Sequence, residues 1–306
     1  MIDALLRSLP LSAFDPLREI LHACARRNPA RVLSTKVLVR AARAYRGHLS
    51  ARLEKVRPVD RPDLVFKSVD SMVMDAVYWI GVRGYEGVVA QTWGALCRNA
   101  RSVLEIGGNV GLFTVVGAKT GVARYTVVEP VPANVRTLQD NLILNGIRNV
   151  VVQQAAAVPG NSRDVVLSIP SEGRAMPVGA QMLDGDLKLR HSAGQIMVPG
   201  IGMSELASGC DLIKIDAEGI ETALLEDIRG TLVERKPTLL VEVLPEADRL
   251  GAFLRALAAE AGYAIYVLPG YGSDDRTRIE ASEFTSLVPG RFKAKDVVLH
   301  MGPLPT

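Results

Sequence analysis

From residue 101 onward, short apolar runs alternate with stretches in which apolar residues recur at helical spacing. "SVLEI" (102–106), "RYTVVEP" (124–130), "NVVVQQ" (149–154), "DLIKID" (211–216), "PTLLVEV" (237–243), "YAIYVL" (263–268) and "AKDVVLHM" (294–301) read as strands. Between them "PANVRTLQDNLILNG" (132–146), "EGIETALLEDI" (218–228) and "ADRLGAFLRALAAEAG" (247–262) read as helices, the first stopped by Gly146. Strands that are apolar on both faces, alternating with helices, predict an α/β fold: a doubly wound, mostly parallel sheet of seven strands, covered on both sides. Residues 160–200 break the rhythm with "RDVVLSIP" and a Gly/Pro-rich polar run, which predicts an inserted hairpin and a lid carrying His191. Upstream, residues 1–60 show short amphipathic helical pieces broken at Pro10, Pro16, Pro29 and Pro58, then a linker at "RPVDRPDLV" (57–65). A helix over 84–100 leads into the first strand. The predicted division is a helical extension over 1–75 and a sheet domain over 76–306.

Composition changes this picture little. The chain has 306 residues, 48% apolar and 23% charged, enough for one large packed domain with an appendage and too apolar for global disorder. Aromatics at 5% argue against a base-stacking platform for single-stranded nucleic acid. Charge is uneven: residues 1–66 carry thirteen Lys/Arg against six Asp/Glu, and the remainder is acidic on balance. That basic front end is either a solvated helical face or a surface for an anionic partner. Cys24, Cys97 and Cys210 are odd in number and far apart, so they form neither a disulfide framework nor a zinc knuckle. With no secretory pattern at the N-terminus and no window of roughly 18 apolar residues, the expectation is a cytoplasmic protein without a membrane span.

The chemistry concentrates where the first strand breaks. In "SVLEIGGNVGLFT" (102–114) a strand ends on glycines and continues as a helix, the layout of a nucleotide-binding turn at the carboxyl edge of a doubly wound sheet. A dinucleotide fingerprint wants glycines at three spaced positions, which here hold Gly107, Asn109 and Leu112. No Gly-Lys-Ser/Thr follows, so a P-loop is absent. Instead Glu105 precedes Gly107, Gly108 and Gly111. A carboxylate beside the turn repels a pyrophosphate and suits a ligand with a positive end. Glu129 closes the second strand, where an acid accepts ribose hydroxyl protons. Two carboxylates, a glycine turn and no phosphate cradle favour S-adenosylmethionine over NAD.

With these residues in place, the chain resembles the FkbM family of class I S-adenosylmethionine-dependent methyltransferases. The resemblance spans about residues 80–300 and rests on "YEGVVAQ", "VLEIGGNVGLFT", "VVEPVPANVRTLQDNLILNG", "DLIKIDAEGIETALL" and "TLLVEV", of which "IKIDAEGIE" is the most specific. It departs from the family at Glu105 and Gly108, where Asp and Ala are usual, and at Ser204, where an acid is usual. The resemblance implies a Rossmann-like methyltransferase sheet and O-methylation of a hydroxyl on a sugar or natural product. It implies cofactor contacts at Glu105, Gly107, Gly108, Asn109, Gly111, Thr114, Glu129 and Pro130, with Gln154 and Ala156 at the adenine.

Methyl transfer to an alcohol needs alignment and a proton acceptor. Asp216, at the end of the fourth strand, is the leading candidate for the base and also for a cofactor contact. The same residue also reads as the N-cap of the following helix, with Glu218 in its first turn. Glu242, ending the fifth strand, is a third catalytic candidate. Lys214 leaves its strand on the same face as Asp216. Asp216 with Glu242 would suit Mg²⁺, but spacing names no third ligand, so no metal is assigned. His191 is a lid candidate for the base, while His22 and His300 read as structural. The expected partner is a small-molecule acceptor, with a homodimer through the N-terminal helices as a further expectation. Two other readings stay open: a nucleic-acid or other N-methyltransferase, and an inactive cofactor-binding scaffold.

Overall fold

The computed structural model describes residues 10–27, 53–82, 88–170, 180–182, 192–243, 248–269, 276–279 and 294–305. Helix α1 (Phe14–Arg27) is followed by a short hairpin of β1 (Lys55–Val56) and β2 (Phe66–Lys67). Then come α2 (Met72–Ile80), capped by the Ser71 hydroxyl, and α3 (Val88–Asn99). The first half of the sheet is β3 (Ser102–Ile106), α4 (Leu112–Ala118), β4 (Arg124–Val128), α5 (Pro132–Leu144) and β5 (Val150–Gln153). An excursion follows through β6 (Ala156–Val158), β7 (Val165–Pro170), β8 (Gln181–Met182), β9 (Ser192–Val198), β10 (Gly200–Gly202) and α6 (Met203–Leu206). The chain then returns through β11 (Leu212–Ile215), α7 (Glu221–Asp227), α8 (Arg229–Arg235), β12 (Thr238–Glu242) and α9 (Asp248–Ala261). It finishes with β13 (Ala264–Pro269), β14 (Thr277–Ile279) and β15 (Ala294–His300).

The central sheet runs in the order β14-β13-β15-β12-β11-β3-β4-β5. β12, β11, β3, β4 and β5 pair in parallel, and β15 lies antiparallel between β12 and β13. This is the expected doubly wound α/β sheet, with eight strands rather than seven, because Thr277–Ile279 adds an antiparallel edge to β13. Alternation along each strand feeds two cores. Val103, Tyr125, Val127 and Leu212 pack with α2–α5 on one face. Leu104, Ile106, Val128 and Ile213 pack with α7–α9 on the other. Both faces of the central strands β12, β11 and β3 are covered, which is why they read as unbroken apolar runs.

Three expectations change. First, 57–65 is not a free linker: it joins the two strands of the hairpin, and Val56, Leu64 and Phe66 are buried in the same core as the sheet. Asn141 of α5 and Asn145, its C-cap, hold this hairpin, their side-chain oxygens accepting the Lys67 and Val65 N–H groups at 2.6 and 3.0 Å. Part of the expected extension is therefore built into the sheet domain. Second, helix α7 starts at Glu221 with Ile220 as its N-cap, so Asp216 does not cap it. Third, the insert near 160–200 contains a three-stranded antiparallel sheet, β8-β7-β9, and a parallel pair, β6 with β10. His191 lies outside the described residues.

At the N-terminal side, α1 leans on α2. The Arg18 guanidinium stands 4.3 Å over the Tyr78 ring, and His22 hydrogen-bonds the Trp79 carbonyl at 2.8 Å, a structural role for that histidine. Among the described residues no helix is long and apolar enough to cross a membrane.

Candidate functional site

The carboxyl ends of β3, β4, β11 and β12 meet at one edge of the sheet, and the chain leaves each of them through a candidate residue. After β3 the backbone folds back on β4: the N–H groups of Gly107 and Gly108 both donate to the Val128 carbonyl, at 2.9 and 3.2 Å. The Asn109 N–H donates to a Glu129 carboxylate oxygen at 2.8 Å, and the Val110 N–H to the Asn109 side chain at 2.7 Å. The Gly111 N–H donates to the Gly108 carbonyl at 2.8 Å. All five backbone donors from Gly107 to Gly111 are thus used within the protein. Gly107 has φ +83°, and a Cβ there would stand 2.0 Å from the Asp216 carbonyl oxygen, so only glycine lets the turn approach β11 this closely.

Glu129 is buried at the tip of β4. It accepts from Asn109 N–H, from Val131 N–H at 2.9 Å and from the Asn134 amide at 3.2 Å. Burial raises its carboxyl above the usual range, and the three donors pull it back. A carboxylate offers about four lone-pair sites, so three donors leave capacity for one more. Pro130 beside it is half-buried, and Gln154, just past β5, is exposed.

Three sequence-predicted contacts lie away from the open edge. Glu105 and Thr114 are fully buried, and Ala156 is nearly so. Glu105 points into the core beneath the turn because alternation puts it on the same face as Val103. There Thr114 and Tyr125 hydroxyls donate to one of its oxygens at 2.8 and 2.5 Å. Desolvation raises its pKa to about 7, against the nearby Lys214 charge and these two donors. Glu105 and Thr114 therefore brace the turn from below and do not line it. Ala156 sits in β6 opposite Gly200, its N–H given to the Pro199 carbonyl.

The three catalytic candidates do come together. Carboxylate oxygens of Asp216, Glu218 and Glu242 lie within 4.8 Å of one another. Glu218 reaches the other two because its backbone is left-handed, φ +52°, an uncommon conformation for a residue with a side chain. Glu221 steadies that loop: its carboxylate accepts the N–H groups of Ala217 and Gly219 at 2.9 and 3.0 Å. Glu221 received no role from spacing alone, although an acid at the start of a helix after a Gly is a signal for such a clasp. Asp296 of β15 sits opposite Glu242 in the register and is also buried. Among the described residues, Lys214 brings a cation to the cluster, its ammonium 3.0 Å from Asp216. Oxygen donors this close suit a hard divalent cation or a positively charged ligand.

No family model matches this chain, and no curated protein matches it. Among solved structures it is similar to the methyltransferase FkbM from Methylobacillus flagellatus KT, at 15% identity and TM-score 0.42, covering 93% of this chain and 58% of that one. It is also similar to precorrin-6y C5,15-methyltransferase from Geobacter metallireducens GS-15, at 13% identity and TM-score 0.38, covering 70% and 88% of the two chains. A third is the O-methyltransferase from Bacillus cereus in complex with SAH, at 13% identity and TM-score 0.38, covering 70% and 81%. The chain spans little more than half the length of the first of these. Likeness at this level carries no functional weight.

Proposed function

We propose that this chain is an S-adenosylmethionine-dependent methyltransferase that methylates a hydroxyl of a small glycan, a sugar-containing metabolite or a natural product. The observation that carries the cofactor is the glycine turn itself. Every backbone N–H from Gly107 to Gly111 is spent inside the protein, so no donor remains to cradle a pyrophosphate. What the edge offers instead is negative: Glu129 beside the turn, and Asp216, Glu218 and Glu242 across it. That donor set fits a ligand with hydroxyls and a positive centre.

S-adenosylmethionine, when bound, supplies a methyl group activated by its sulfonium. The remaining work falls to this chain. Glu129 accepts from one ribose hydroxyl with the capacity its three internal donors leave. Gly107 and Gly108 let the turn pack against Asp216, Val127 and Leu138, and the ligand lies on the turn so held. Asp216 contacts the cofactor and takes the proton of the acceptor hydroxyl, and Glu218 and Glu242 orient the acceptor. Metal binding by these same three carboxylates is an alternative use of the cluster.

The test is calorimetric titration of S-adenosylmethionine into the wild type and Glu129→Ala, with NAD as the control. Binding by the wild type and its loss in the variant is the expected result. Binding of NAD in place of S-adenosylmethionine overturns the reading. Transfer of labelled methyl to hydroxylated sugars, with polynucleotides alongside, then tests the acceptor class.

A further inference from the structure

Among the described residues Lys214 is one of the largest fully buried side chains, in β11, where its strand neighbours are Ile213 and Ile215. An apolar residue would fill it without the cost of taking an ammonium out of water, which is several kcal/mol unless the charge is well paired. The ammonium is paired on more than one side. It lies 3.0 Å from the Asp216 carboxylate and 4.8 Å from the centre of the Phe113 ring. Across the ladder, its Cα partner is Glu105. Phe113 belongs to the first turn of α4, directly after the glycine turn, and Glu105 braces that turn through Thr114. Lys214 thus touches the leading candidate for the base and the underside of the cofactor turn at once.

The Asp216 backbone is already fixed against the turn, through its N–H to the Ile106 carbonyl and its carbonyl over Gly107. Its side chain is about a quarter exposed, and an aspartate at such a strand end has several staggered rotamers to choose from. We propose that Lys214 is the positioning residue of this site: its ammonium holds the Asp216 carboxylate at the junction between the cofactor turn and the Glu218–Glu242 pair. This rests on the methyltransferase reading of the same site. Lys214 acts through Asp216 and touches neither ligand.

The test is a double-mutant cycle read by S-adenosylmethionine calorimetry on wild type, Lys214→Met, Asp216→Asn and the double variant, with a thermal melt of each. Each single change weakens binding by about tenfold, and the double variant binds no more weakly than Asp216→Asn alone, because Lys214 has nothing left to position. A purely structural lysine lowers the melting temperature in both backgrounds and leaves affinity unchanged. That result overturns the proposal, as does a double variant whose loss is the product of the two single losses. If Lys214→Met leaves Glu105 uncompensated and does not fold, the cycle is run in a Glu105→Gln background, where both buried charges are removed together. Absence of wild-type binding is read first and separately: it overturns the methyltransferase reading and this inference with it.

Discussion

The carboxylate of Glu129 and the backbone N–H of Asn109 meet at 2.8 Å, closing the glycine turn onto the tip of the second parallel strand. The bond is part of a buried set in which one side chain serves two backbone donors and the Asn134 amide. Replacing Glu129 by Ala strands those donors and costs about 1–3 kcal/mol of stability in addition to ligand affinity. Glu129→Gln turns one acceptor oxygen into a donor that faces an N–H, and it falls between wild type and Ala. Urea unfolding and calorimetry on the same three proteins check the order.

Gly107 and Gly121 share positive φ, +83° and +86°, but a Cβ at Gly107 meets the Asp216 carbonyl at 2.0 Å while one at Gly121 meets nothing within 4 Å. Gly121→Ala therefore carries only the left-handed backbone penalty, roughly 1–2 kcal/mol. Gly107→Ala adds the displacement of β11 from β3 and lowers stability by clearly more. Thermal unfolding of the two variants measures the difference, and equal shifts would deny the close approach.

Glu105 gives a pH dependence whose sign is set by burial. Its folded pKa is raised to about 7 from the ordinary 4.5, so the folded state holds the proton more tightly than the unfolded chain. Its contribution is most favourable below the unfolded pKa and is lost as pH rises through the folded one. Glu105→Gln cannot ionise, so its melting temperature gains on that of wild type between pH 5 and pH 8. A difference that stays flat over this range counts against a buried, titrating Glu105.

Asn145, at the C-cap of α5, clasps the hairpin, accepting the Val65 N–H and donating to the Val65 carbonyl. Asn145→Ala leaves both groups without that partner and costs about 1–3 kcal/mol. Hydrogen exchange checks it: amides in 64–67 lose protection, while β3 and β11 at the sheet centre keep theirs.

The central elements were legible because strands buried on both faces read as plain apolar runs, and the helices between them keep a 3.6-residue period. β6, β10 and the hairpin at 55–67 were not. Each is two or three residues long, too short for a period, and is held by contacts distant in sequence, such as Asn141 to Lys67. The burial of Glu105 was hidden for a related reason. An acid at a strand end looks like a ligand contact, yet in a central strand buried on both faces it must point into one core or the other. The hydroxyls that meet one of its oxygens come from Thr114 and Tyr125, 9 and 20 residues on. Asp216 and Glu242 could be placed at strand ends from sequence alone, whereas the approach of Glu218 depends on a left-handed backbone that spacing does not encode.

β15, the last of the described strands, lies between two strands made long before it. During synthesis from the N-terminus, β12 and β13 both emerge with an edge that has no partner, and each carries apolar residues, Val241 and Val267 among them, toward the core. They stay open until residue 300 has left the ribosome. The sheet therefore cannot close until its last-made central strand is available. A chain arrested before residue 294 presents two unpaired apolar edges to chaperones and to other nascent copies.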